Sequence, residues 1–340
     1  MIVKNQKGTK ILITGGAGYI GSVLTKKLLA SNYKIVVLGT FYSNPEFENK
    51  TPGDENLVLV KGDIRSREIL EYATKGCQII IHLANISESL PGAINKNLYE
   101  SINYKAFLSI LSVAEKYGIE RFIFISSALV YGNQGTRIVS EDTPPSPISE
   151  YGRYKVLCEN ELLKKNWPFT TVAIRPSSVC GYSPRMRFDL PHNALIRDAF
   201  FRKEIRLPLN HNIRPTIHID DLTEIIKLII ETSAENINKG IFNVGYENFS
   251  WLEWATIIKN IFQKDLKIVS GPEKFNYSHA ISTENIRNIL GFAPQKKFRD
   301  AAVELVQQFQ NKTIMNPNDD RYYNVRKITK NNIQYMEIML

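Results

Sequence analysis

Three evenly spaced glycines, Gly15, Gly18 and Gly21, stand between an apolar run, Ile11-Leu12-Ile13-Thr14, and a helix-like stretch from Ile20 to Ser31. No other feature constrains the fold as tightly. The apolar run reads as a buried parallel strand. The first glycine permits a tight turn. The second lets the backbone approach a pyrophosphate, and the third lets helix pack against strand. The helix N-terminus then offers free N–H groups and a positive dipole end to phosphate. Isolated glycine triplets are common, and a plain strand-to-helix turn is the alternative reading. The flanking strand and helix give this triplet its meaning.

Further apolar runs follow at Lys34 to Leu38, Leu57 to Val60, Gln78 to Leu83, Arg121 to Ser126 and Thr170 to Ile174. Helical stretches lie between several of them, notably Leu98 to Tyr117 and Tyr151 to Lys165. Strand and helix alternating in this way predict an α/β fold, a Rossmann-type doubly wound parallel sheet covered on both faces. After Arg175-Pro176 the texture changes to prolines and short segments. Thr216 to Ile219 and Gly240 to Val244 read as strands and Asp220 to Thr232 as a helix. We therefore expect a dinucleotide-binding domain over 1–176, to which 215–245 returns, and a smaller C-terminal α/β substrate domain over 177–340. The polar tail from Asn311 either wraps the body or is partly loose.

The 340 residues are 43% hydrophobic and 23% charged, an ordinary balance for a water-soluble globular chain. No apolar run approaches the roughly 20 residues of a membrane span. Met1 to Lys10 lacks the apolar core of a signal peptide. The three cysteines, Cys77, Cys158 and Cys180, show no metal-ligand spacing and suit a reducing cytoplasm. The net charge of +9 raises nucleic-acid binding as a reading, but the basic residues are scattered and form no stripe with stacking aromatics. The same charge helps gather an anionic nucleotide.

Tyr151 and Lys155 are four residues apart, so on a helix they share a face. An ammonium one turn from a phenol favours the phenolate. Such a phenol can exchange a proton with an alcohol or sugar hydroxyl while a nicotinamide takes the hydride. A Tyr and a Lys on an ordinary amphipathic helix is the bland alternative, which the upstream glycine turn and Ser127 weigh against.

In order and spacing, Thr14 to Gly21, Gly62-Asp63, His82-Leu83-Ala84, Ser126-Ser127 with Val130-Tyr131-Gly132, Tyr151-x-x-x-Lys155 and Arg214 to Asp221 resemble one family. It is that of the extended short-chain dehydrogenases/reductases of the nucleotide-sugar epimerase and dehydratase type, with UDP-glucose 4-epimerase its best-known member. The resemblance spans about Lys10 to Phe309. It implies an enzyme with catalytic Ser127, Tyr151 and Lys155. It implies cofactor contacts from Gly15, Gly18, Tyr19, Ile20, Gly21, Asp63, Ile64, Leu83, Ala84, Asn85, Ser126, Tyr151, Lys155 and Pro176. Asn103 would brace the active-site strand. Substrate contacts would come from Ser87, Ser127, Ser178, Arg187, Asn193 and Arg214, with Arg187 otherwise a surface charge. Tyr277-Ser278 and Ser282 to Leu290 resemble the segment that closes over the nucleotide.

The implied reaction is hydride transfer at C4 of a nucleotide-diphosphate sugar, foremost a 4-epimerase. A 4-dehydrogenase or 4-keto reductase would use the same residues. A ketoreductase for non-sugar carbonyls would leave Arg214 without a purpose, and a non-catalytic cofactor sensor would usually have lost Tyr151 or Lys155. The implied setting is a cytoplasmic homodimer, paired through the helices at 98–117 and 151–165, in surface-polysaccharide biosynthesis. Several positions depart from the family pattern. Gly39 replaces the usual acidic residue after the second strand, so the implied cofactor is NAD with NADP still open; the nearest cation is Lys50. Ala128-Leu129 replaces the Asp-Glu pair of the 4,6-dehydratases, and neither side chain carries a proton. Ser178 stands where the 4-epimerase has Asn. Cys180 and His192 do not match the context of a C3/C5 epimerase pair. His218, Asp220 and Asp221 read as strand-end and helix-cap residues rather than metal ligands.

Overall fold

The computed structural model describes residues 8–42, 44–47, 54–87, 95–208, 210–262, 266–271 and 277–324. Lys50 and residues 325–340 of the tail lie outside the described residues. Among the described residues fourteen strands are formed: β1 (Lys10–Thr14), β2 (Lys34–Gly39), β3 (Leu57–Lys61), β4 (Ile79–His82), β5 (Arg121–Ile125), β6 (Ile138–Val139), β7 (Thr170–Pro176), β8 (Ser178–Cys180), β9 (Glu204–Leu207), β10 (Ile213–His218), β11 (Gly240–Val244), β12 (Glu247–Ser250), β13 (Lys267–Ser270) and β14 (Ala280–Ile281).

Seven of them make one sheet in the order β11-β7-β5-β4-β1-β2-β3, and every pairing in it is parallel. In β1 the side chains alternate between two separate cores. Ile11 and Ile13 face Leu24 and Leu28 of the helix Tyr19–Ala30 and Leu222 and Ile225 of the helix Ile219–Glu231. Leu12 faces the other way, toward Phe107 and Ile110 of the helix Ala106–Lys116 and Leu162 of the helix Glu150–Lys164. A strand buried on both faces has no polar alternation, which is why β1, β4 and β5 read as unbroken apolar runs. The chain leaves β1 toward β2 and β3, then crosses to β4 on the opposite side. At that reversal a crevice opens beyond the carboxyl ends of the strands, where ligands of such sheets bind.

The helix entering that region runs from Lys96–Glu100 through a π-helical turn, Ser101–Lys105, into Ala106–Lys116. Such turns often mark functional sites. Here the turn carries Asn103, whose side chain accepts from Ile86 N and donates to Ile86 O, both at 2.8 Å. The smaller sheets are β12-β10-β8, β13-β9 and β14-β6. β11 returns to the large sheet beside β7, whereas β10 pairs antiparallel with β12. That pairing includes Arg214 and Pro215 and starts the strand three residues before the sequence-based expectation. The aspartates expected to cap the next helix do not do so. His218 Nδ1 accepts from Asp220 N at 3.1 Å. Asp221 Oδ2 instead accepts from Gln295 N and Lys296 N. The described part of the tail lies on the body: Phe188 N donates to Tyr322 O at 3.0 Å, and Ile314, Tyr322 and Tyr323 are buried. Among the described residues no helix is long and apolar enough to cross a membrane.

Candidate active site

A cavity of about 430 Å³ occupies the crevice. The loops after β1, β2, β3, β4, β5 and β7 all reach it. At its floor the glycines are required by space. A Cβ on Gly15, whose φ is +73°, would lie 2.8 Å from Ala84 N, and one on Gly21 would lie 2.2 Å from Gly15 O. Gly18 is the N-cap of the following helix, which has no side-chain cap and no acidic residue in its first turn. The uncapped end faces the cavity through Gly18, Tyr19, Ile20 and Gly21. This is a cradle shaped and polarised for a phosphate. The Tyr19 hydroxyl donates to Gly181 O at 2.7 Å. Ser183 Oγ donates to Tyr19 O at 2.7 Å. Both bonds tie the cradle to the chain after β8.

Along one side, Asp63 and Ile64 line the cavity after β3. The Asp63 carboxylate is held by Arg65 through Nε at 3.0 Å and Nη2 at 2.9 Å. Gly39, Thr40 and Phe41 line the adjoining stretch, and a Cβ at Gly39 would meet only ordinary contacts at 3.8 Å. Among the described lining residues of that stretch there is no Lys or Arg. Leu83, Ala84, Asn85 and Ser87 line the wall after β4. Its base is fixed by Thr14 Oγ1, 2.7 Å from His82 Nδ1. Burial pushes the His82 imidazole down to about 3, so the ring is neutral.

Ser127, Tyr151 and the buried Lys155 meet at the ends of β5 and the helix Glu150–Lys164. Ser149 caps that helix by accepting from Gly152 N at 3.1 Å. Ser127 and Tyr151 face the cavity. Burial pushes the Tyr151 phenol up to about 12; the Arg187 guanidinium and a hydrogen bond with Ser127 pull it the other way. Lys155 stands behind the wall. Its Nζ donates to Ile125 O at 2.6 Å and lies 5.4 Å from the centre of the Tyr151 ring. Burial lowers its ammonium to about 8, against the carboxylate of Glu159 and the thiol of Cys158. The Arg187 guanidinium is a second cation near the phenol beside Lys155, one that the helix spacing does not predict. Helix spacing predicts a shared face, but the ammonium turns to a strand-end carbonyl.

Beneath Ser126 lies a buried polar network that sequence reasoning missed. Ser126 Oγ donates to Glu159 Oε1 at 2.5 Å. Arg175 grips Glu159 through Nε at 2.9 Å and Nη2 at 2.7 Å. Arg175 Nη1 also donates to the Tyr131 hydroxyl, which donates to Asn243 Oδ1, each at 2.8 Å. The available signal was Glu159, one turn beyond Lys155.

On the opposite wall, the Arg187 side chain is 12% exposed and paired in fork fashion with Asp189 at 2.9 and 2.8 Å. It is not a surface charge. Arg185, Asp189 and Asn324 join it as lining residues, and none of these three was singled out in the sequence. Ser178, Pro176 and Arg214 also line the cavity. The Arg214 guanidinium lies 5.2 Å from the ring centre of Tyr277 and 5.5 Å from that of Trp251. Asn193 is fully buried behind the lining, donating to Arg187 O at 2.9 Å. Cys180 and His192 are also fully buried, with Cys180 Sγ on Ile217 O and His192 Nε2 on Val179 O. His218, Asp220 and Glu304 cluster away from the cavity. There Lys296 Nζ binds Asp220 at 2.5 Å and Glu304 at 2.8 Å, filling the position of a cation.

The profile of the NAD dependent epimerase/dehydratase family matches residues 11–245. The chain belongs to that family. UDP-glucose 4-epimerase 4 of Oryza sativa subsp. japonica is 27% identical over 297 residues, 78% of this chain and 79% of the relative. A putative UDP-glucose 4-epimerase of Methanocaldococcus jannaschii is 31% identical over 242 residues, 68% and 76% of the two chains. Among solved structures, the UDP-glucuronic acid 4-epimerase from Bacillus cereus, in complex with UDP-glucuronic acid and NAD, superposes with a TM-score of 0.80 at 24% identity. That superposition covers 89% of this chain and all of the other.

Proposed function

We propose that this family member is a nucleotide-sugar oxidoreductase acting at C4, and that it works as a 4-epimerase. One observation carries the reading: Ser127 and the Tyr151 phenol together face a cavity whose floor is a glycine cradle for a dinucleotide. The glycine turn, with Tyr19 and Ile20, would hold a pyrophosphate. Asp63 and Ile64 would hold the adenine end, and Leu83, Ala84, Asn85, Ser126, Pro176 and Lys155 the nicotinamide half. The cofactor is NAD, because the lining near Gly39 offers a 2′-phosphate no described cation and Arg65 is engaged with Asp63. Bound there, a nicotinamide supplies a hydride acceptor and donor.

The chain's own residues do the proton work. Tyr151 takes the C4 hydroxyl proton and gives it back, and Ser127 holds the oxygen as its charge develops. Arg187 lowers the cost of the phenolate. Arg214 and Ser178 bind the nucleotide diphosphate and sugar, with Asn193 behind them. Ala128 and Leu129 line the cavity beside Ser127 and carry no proton, which argues against 4,6-dehydration. Two helices expose Leu108 and Leu157, which supports a homodimer through 96–116 and 150–164.

The test is deuterium at C4. Loss, exchange or transfer of the label from a nucleotide sugar is expected, and retention with every sugar tried sinks the C4 reading. Denaturing fresh protein and identifying any released dinucleotide then separates the outcomes. Tightly held NAD is expected of a 4-epimerase, and an empty protein marks a 4-dehydrogenase or 4-keto reductase.

A further inference from the structure

The wall opposite the glycine cradle carries more positive charge than the described residues neutralise. Arg185 and Arg187 both line it, with one carboxylate, Asp189, among them. That carboxylate is already committed. Its Oδ1 accepts from Arg187 Nε, and its Oδ2 accepts from Arg187 Nη2 and Asn324 N. Arg185 is only 4% exposed. Its Nη2 donates to Asn324 Oδ1, and its Nε is buried with no acceptor among the described residues. Burial and the neighbouring Arg187 charge lower it to about 10, Asp189 opposing, so it stays a cation at neutral pH. A buried guanidinium with an unfilled donor fits an anionic oxygen group, which it can grip with two parallel bonds.

Two anions of a bound dinucleotide and nucleotide sugar already have receptors: the uncapped glycine helix for one, Arg214 for the other. Resting on the C4 reading, we infer that Arg185, steadied by Asn324, receives a third anion, a carboxylate on the sugar, so that the substrate is a nucleotide-linked uronic acid. The location supports this assignment. Arg185, Arg187 and Tyr151 line the same cavity, and the Arg187 charge is near enough to lower the phenol. Asn324 Nδ2 donates to Ser87 Oγ at 3.2 Å, which ties the cluster to the end of β4 next to the reacting groups.

The experiment compares glucose and glucuronic acid on the same nucleoside diphosphate, for UDP, GDP, dTDP and CDP, by C4-deuterium exchange. The unaltered enzyme is expected to favour a uronic form. Arg185→Gln should lower the uronic-to-hexose ratio of kcat/KM by about 10- to 100-fold, the range for a hydrogen bond to a charged group. Its dinucleotide content should stay at the unaltered level. Asn324→Ala, a milder change, should lower the ratio in the same direction and serves if Arg185→Gln does not fold. Loss of dinucleotide in Arg185→Gln would assign the anion to the cofactor and overturn the inference. Equal weakening of both sugars would assign it to the substrate diphosphate, with the same consequence. Exchange with hexoses alone refutes the inference and leaves the C4 reading standing. No exchange with any sugar removes both.

Discussion

Replacing Glu159 by Gln should destabilise the protein by about 3–5 kcal/mol, the usual cost of removing one partner from a buried ion pair. The side chains of Arg175 and Glu159 are 2% and 4% exposed, so water cannot take over the lost charge. Gln keeps the size of Glu and one acceptor oxygen for Ser126 or Arg175. It turns an amide N–H₂ toward an Arg175 donor that now has an oxygen at 2.7 Å. The guanidinium would keep the remaining oxygen through Nε and the Tyr131 hydroxyl through Nη1, but lose the acceptor of Nη2 and the charge that neutralises it. Unfolding in urea, followed by fluorescence of Trp251 and Trp254, reads the change as a shift of midpoint at constant slope. The double variant Glu159→Leu with Arg175→Met removes both charges and should recover much of the loss, because a well-packed apolar pair often replaces a buried ion pair at little cost. Ser126 precedes Ser127, so Glu159→Gln should also lower activity. A variant within about 1 kcal/mol of the unaltered protein, with the same denaturant slope, would refute the claim that this pair is held without water.

Tyr151→Phe should lower the rate of C4 exchange by at least about 100-fold, the lower range for general acid–base catalysis, while dinucleotide is still released on denaturation; unchanged exchange would remove Tyr151 from the reaction. Gly21→Ala should purify without dinucleotide, since the new Cβ would sit 2.2 Å from Gly15 O, and absorbance of the denatured protein checks it. Arg187→Gln removes a downward pull on the phenol, so the rise of kcat/KM with pH should move to higher pH; an unmoved profile would show that the guanidinium does not reach the phenol. His82, His192 and His279 are pushed by burial to about 3, 4 and 4. The unfolded chain therefore binds more protons than the folded one below about pH 6.5, and stability should fall from there toward pH 4 by up to about 1.4 kcal/mol per pH unit for each ring. Urea midpoints that stay level between pH 7 and 5 would contradict that burial.

The parts of the site that were legible in the sequence are local ones. The glycine turn is seven residues long, and each glycine answers a steric demand made by a neighbour: Ala84 N for Gly15 and Gly15 O for Gly21. Tyr151 and Lys155 share a helix, and the apolar strands announce themselves by being buried on both faces. The unreadable parts are set by long-range pairing. Lys155 lies one turn from Tyr151, yet its ammonium goes to Ile125 O, 30 residues back in the chain. His218 takes over the cap expected of the aspartates because those carboxylates are drawn to the Lys296 side chain and to the backbone of Gln295 and Lys296. Arg185 and Asn324 are 139 residues apart, and Asn324 sits in a polar tail with no periodicity to place it. In the sequence Arg185 and Arg187 look alike, alternating in one short run. Only the fold distinguishes them, by giving Asp189 to Arg187 and leaving a buried Arg185 N–H without an acceptor among the described residues. The chemistry common to the family is thus carried by residues close in sequence. The Arg185–Asn324 cluster, on which the inferred choice of substrate rests, is brought together only by tertiary structure.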